Sequence, residues 1–176
     1  MTQRLLTGLA LAMLVSASPA MATDHSAVVD INGTLTREAF RCSIVPSENS
    51  FSLLELPETL IKQGDDATSP VIVHLSVVGG DQCTALVDDG KIAFHFSGNA
   101  DNADGTALAN SLTDETAAKG VAIGIFDGDN KPIVVNTGRL PAKTDTVFGL
   151  QMVQLNGQEA VGGNINAAAT IEIERL

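Results

Sequence analysis

The chain has 176 residues, 44% of them hydrophobic and 18% charged, with a formal net charge of −11. One domain is expected at this length. The acid excess argues against a phosphate-binding surface, and a chain with no Trp and no Tyr has little to stack bases on.

In chain order, residues 1–22 read as a secretory signal peptide. Arg4 supplies the positive start, and Leu5 to Val15 is an apolar run of 11 residues, shorter than a bilayer span. Ala20-Met21-Ala22 then offers the small residues a peptidase needs. Cleavage after Ala22 would leave a soluble, exported chain starting at Thr23.

Val28 to Leu35 alternates, with Val29, Ile31, Gly33 and Leu35 on one face and Asp30, Asn32 and Thr34 on the other. Phe51 to Leu54 is a short strand candidate, and Val71 to Val78 is a β-branched run that stops at Gly79-Gly80. Thr84 to Val87 reads as a strand meeting Asp89-Gly90, with Lys91 to Ser97 following. Asn110 to Lys119 has room for one helical turn. Val121 to Phe126 runs into Asp127-Gly128, with Pro132 to Val135 as the return strand. Phe148 to Leu155 meets Asn156-Gly157, a hairpin signal because both residues tolerate positive φ. In the last strand Ala167, Ala169, Ile171 and Ile173 alternate with Ala168, Thr170, Glu172 and Glu174. Many short strands at this spacing indicate an all-β sandwich in one domain.

Cys42 and Cys83 are the only cysteines. In an oxidising compartment they most simply pair, and closing a loop of about 42 residues stabilises by roughly 4 kcal/mol in the chain-entropy model. A catalytic thiol would need a nearby His and a redox motif such as C-x-x-C. The three histidines, His25, His74 and His95, form no metal-spaced pair, and His74 and His95 read as structural. Ala100 to Gly105 faintly resembles a calcium loop but lacks its opening Asp and its closing Glu. Nucleophile-elbow and phosphate-loop motifs are absent. The expectation is a non-enzymatic protein with no cofactor and no metal.

The ordered motifs resemble a pilin of the chaperone–usher pathway, of the type 1 and P pilus kind. Val29 to Leu35 followed by Cys42-Ser43-Ile44 is similar to the family's first strand and first cysteine. Asp81-Gln82-Cys83 matches the place of the second, and Ala93 to Gly98 resembles the strand before the variable loop. Gly120 to Gly128 resembles the family's "GVgIqIxDxxG" segment, and Val161 to Ile173 its terminal strand, with Gly163 at the family's glycine. Two places depart from the pattern. Arg175 stands where the family usually has Tyr, and the spacing from Gly33 to Cys42 is about two residues longer than in the commonest members.

The resemblance implies an incomplete immunoglobulin-like sandwich lacking its last strand, completed by a donor strand. It implies a donor arm at residues 23–35 ahead of a pilin domain at 36–176, with Ala27, Val29 and Ile31 pointing into a neighbour's groove. Whether the arm ends at Ile31 or at Leu35 stays open. Gly163, Ile171, Ile173 and Leu176 would line the acceptor groove or meet the chaperone. The implied partners are a periplasmic pilus chaperone, an outer-membrane usher and neighbouring pilin subunits, and the implied place is a cell-surface fimbria reached through the periplasm. The function implied is a structural subunit that polymerises by donor-strand exchange and supports adhesion. A single-domain adhesive pilin, a fibre-terminating minor pilin and a free-standing binding module are the alternatives.

Overall fold

Strand-forming runs broken by turn residues become two sheets. The computed structural model describes residues 42–176; the expected signal peptide, the Val28–Leu35 strand and the arm residues Ala27, Val29 and Ile31 lie outside the described residues.

The larger sheet begins at β1 (Ser43–Pro46), which pairs antiparallel with β3 (Val71–Val78). Then come β9 (Thr146–Gln154), β6 (Val121–Phe126) and β5 (Leu108–Ala109). Two short pieces attach to it: β2 (Ile61–Lys62) runs parallel to β9, and β7 (Pro132–Ile133) returns along β6. The smaller sheet has β4 (Ile92–Gly98) between β10 (Ala169–Arg175) and β8 (Arg139–Pro141). Arg139 spans this sheet to grip Glu174 through both carboxylate oxygens, at 2.6 and 2.8 Å.

Alternation explains which side chains go inward. In β3 Val73 and Leu75 are buried while Ile72 and His74 are exposed, although the run reads as continuously apolar. Val73 sits opposite Phe148 of β9, and Ile171 of β10 opposite Phe96 of β4. These strands meet in one core with Leu75, Phe94 and Ile125, where the Phe96 and Phe148 rings lie 5.1 Å apart. A smaller second core, built on Ala122, Phe126 and Val153, lies with Ala67 and Ala107 from the loops.

The turn after β6 forms as its residues dictate. Asp127 Oδ1 accepts the amides of Asp129 and Lys131, Asp127 N donates to Lys131 O, and Asn130 takes φ +63°.

Three expectations need correcting. Thr84–Val87 is not a strand but part of helix α1 (Asp81–Asp88). Cys83, Leu86 and Val87 follow helical spacing onto the core, Asp81 suits the N-terminal turn, and Gly90 at φ +64° follows its end. Phe51–Leu54 carries strand alternation but joins no ladder among the described residues. The Asn156-Gly157 turn forms, with Gly157 at φ +72°, yet its return segment makes only isolated bridges to residues 117 and 119. Asn110–Lys119 holds a single turn, closed by Ala117 N to Asp114 O.

Candidate functional site

Between the sheets a groove of about 670 Å³ opens to solvent. Its floor is the core itself: Val73 of β3, Phe96 of β4, Ile125 of β6 and Phe148 of β9. One wall is Ile44 and Pro46 of β1, continued by residues 48–53. The other is residues 165–169 and Ile171, leading into and along β10. The groove thus lies directly on buried core side chains, between the β1 side and the residues leading into β10.

The backbone on both walls is unfinished. Among the described residues β1 pairs only with β3 and β10 only with β4, so each presents a free edge. Among the described residues, between Ser47, whose amide bonds His74 O, and Leu56, which accepts from Thr59, no backbone hydrogen bond joins residues 48–55 to another segment. This strap is extended enough that exposure alternates: Phe51 and Leu53 turn inward, Ser52 and Leu54 outward. Unpaired amides and carbonyls beside an apolar slot form a template for one more strand.

Of the residues expected at this site, the structure places Ile171 on the groove wall. Ile173 packs on the core next along β10, opposite Phe94, outside the groove lining. Leu176 is 61% exposed beyond the strand, with its amide bonded to Lys91 O. Gly163 lies away from the groove. A Cβ there would come within 2.5 Å of Ala118 N and 2.6 Å of Thr116 O, so glycine permits a close backbone crossing rather than shaping the slot. Sequence reasoning missed the strap and Ile165. Their signal was a two-residue alternation, Phe51-Leu53 and Ile165-Ala167, in stretches without strand partners.

Cys42 and Cys83 are joined, their Cα atoms 5.7 Å apart, which fastens the start of β1 to α1. His74 Nδ1 lies 3.0 Å from both carboxylate oxygens of Asp145, and His95 Nδ1 lies 3.3 Å from Gly138 O. Among the described residues no cluster of three or more His, Cys, Asp or Glu side chains is arranged for a metal.

The calcium-like loop has a different organiser. Asp101, only 7% exposed, accepts the amides of Ala103, Gly105 and Ala107 and Nε2 of Gln63. Burial is the largest single influence and pushes its carboxyl up, but these hydrogen bonds together outweigh it and hold the carboxyl below its ordinary value. A depressed native value contributes stability above the unfolded value, near 3.9, and loses it as pH falls through the native one. Asp101→Asn is therefore expected to cost about 1–3 kcal/mol in urea unfolding at pH 7. The gap to wild type should shrink below about pH 4, and a pH-independent gap would refute the carboxylate's role.

The sequence model of the fimbrial protein family matches residues 29–174. The P pilus rod subunit PapA is similar in structure, with TM-score 0.55 and 17% identity, covering 84% of this chain and 98% of that one. A chaperone–usher pilus, in a structure addressing rod uncoiling, gives TM-score 0.54 and 18% identity over 88% of this chain and 98% of the other. No curated protein sequence matches the chain.

Proposed function

The chain belongs to the fimbrial protein family and is a structural subunit of a surface fimbria, and from that premise we propose that it polymerises by donor-strand exchange. The observation that carries this is the open apolar groove between two free strand edges. The arm of a neighbouring copy, residues 23–35, lays Ala27, Val29 and Ile31 along the groove. Its backbone bonds to the edge of β10 and to the strap, turning two open edges into one continuous layer. Main-chain bonds supply affinity, and the alternation of arm side chains selects register.

Before assembly the same slot is filled by a strand of a periplasmic chaperone, and an outer-membrane usher receives the complex. In this scheme residues 1–22 direct export, the terminal carboxylate of Leu176 meets the chaperone, and the Cys42–Cys83 bridge forms in the oxidising periplasm. The work of the protein is assembly rather than catalysis, with adhesion as the property of the finished fibre.

A synthetic peptide of residues 25–35 tests the reading. It should bind the purified chain and protect amides of β10 and of residues 48–55 from hydrogen exchange. The same peptide with Val29→Asp and Ile31→Asp should not bind. Equal behaviour of both peptides would refute donor-strand exchange.

A further inference from the structure

The strap that walls the groove is tied to the rest of the domain at one polar point. Phe51, Leu53 and Glu55 are partly buried while Ser52, Leu54 and Leu56 are exposed, so Glu55 stands third in the strap's inward row. Phe51 packs on the main core, and Leu53 lines both the groove and a second cavity of about 590 Å³. Among the described residues, Glu55 alone of residues 48–55 hydrogen-bonds to another segment, its Oε1 accepting the Met152 amide at 3.3 Å.

The sheet explains where that bond falls. One edge of β9 is paired with β6 from Gly149 to Gln154. On the other edge β3 ends at Val71, opposite Leu150, and β2 begins only at Ile61, opposite Val153. Met152 lies in the gap between these two partners and is buried, so its amide needs an acceptor from elsewhere. The Glu55 carboxylate is that acceptor. Burial pushes the carboxyl up, against the Met152 amide and the Gln151 side chain, which favour its charged form. An acid at the end of an apolar inward row is thus accounted for by the amide it reaches.

We propose that Glu55 is a positioning residue for donor-strand uptake: by pinning the strap to β9 at Met152 it keeps Phe51 and Leu53 turned to the groove and the strap's backbone in place as an edge to be paired. This rests on the donor-strand reading and names the residue that prepares one of its two edges. A slip of one residue exchanges the two faces of an extended segment. In the strap it would turn Phe51 and Leu53 out and Ser52 and Leu54 in. An unpinned strap is in the receiving arrangement only part of the time, and the apparent affinity for an incoming strand falls by that fraction. The loss belongs to the association rate, because a strand already seated holds the strap itself.

The test measures uptake of the residue 25–35 peptide by variants of the purified chain. Glu55→Ala should lower the association rate at least fivefold and change the dissociation rate by less than twofold. Glu55→Asp, one methylene short of the amide, should behave like Glu55→Ala. Glu55→Gln keeps an oxygen for the Met152 amide and should bind within twofold of wild type. Leu155→Ala, in the second core and outside the groove lining, controls for lost stability: it should melt lower yet take up the peptide at the wild-type rate. In the peptide-free chains, the NMR resonances of residues 50–54 should broaden or split in Glu55→Ala and stay sharp in Glu55→Gln. An unchanged association rate for Glu55→Ala, an equal loss in Leu155→Ala, or no rescue by glutamine would overturn the proposal. Failure of the peptide to bind even wild type would refute the donor-strand reading, and a role in uptake with it, while the strap resonances would still show whether Glu55 holds the strap.

Discussion

A copy of residues 25–35 appended after Leu176 through a flexible linker should convert the chain into a stable, self-sufficient monomer. The groove is floored by core side chains that include Phe96 and Phe148, and the arm offers Ala27, Val29 and Ile31 to pack along it. Burying a Val or an Ile contributes about 1.5–3 kcal/mol each. Tethering removes most of the cost of bringing two molecules together. The net gain should be several kcal/mol, seen as a rise in melting temperature of at least about 10 °C, since 1 kcal/mol moves a domain of this size by roughly 2–4 °C. The linker must be long enough to let the appended strand enter the slot in either direction, because β10 ends at Arg175 beside the groove's own wall. A scrambled copy on the same linker is the control. Identical melting of the two versions would show that the domain needs no further strand.

That test bears on the part of the site that sequence could not display. Local features were legible. Val71–Val78 and Val121–Phe126 became β3 and β6 with the bounds their apolar runs suggested, and Asp127 to Asn130 formed the turn its residues favour. Each depends on neighbours along the chain. The 81–88 helix was missed because eight residues hold barely two turns, and a run containing Thr84 and Val87 looks strand-like in so short a window. The groove was harder still. Its walls and floor come from residues 44, 46, 48–53, 73, 96, 108, 123, 125, 148, 150, 165–169 and 171, which only the fold brings together. Gly163 shows the converse: its place in a terminal motif suggested the groove, while its reason is the close crossing over Thr116–Ala118. The strap is the most instructive case. Phe51 to Leu54 has the alternation of a strand, and among the described residues it has no ladder partner, which is what a strand supplied from elsewhere would complete.

Removing the Cys42–Cys83 bridge is expected to have the second large effect, and the two effects should cancel. The bridge closes a separation of 41 residues, which stabilises by about 4 kcal/mol in the chain-entropy model. Whole domains are commonly stable by only about 5–15 kcal/mol, and one with an open groove lies toward the low end of that range. The bridge also fixes the start of β1, whose Ile44 and Pro46 wall the slot, to α1, whose Val87 enters the main core. Without it, among the described residues β1 keeps its ladder with β3 and the packing of Ile44 on the main core, so the groove wall is less firmly held and the domain less stable. Cys42→Ala with Cys83→Ala should therefore leave the donor-free chain largely unfolded at 37 °C by circular dichroism. In the version carrying the appended arm the same pair of substitutions should be tolerated, with a lowered but cooperative melt, because the donor strand anchors both walls from inside. A bridge-free chain that melts cooperatively with the wild-type midpoint would show that β1 is held by other means, and would remove the disulfide from any part in keeping the groove open for its partner.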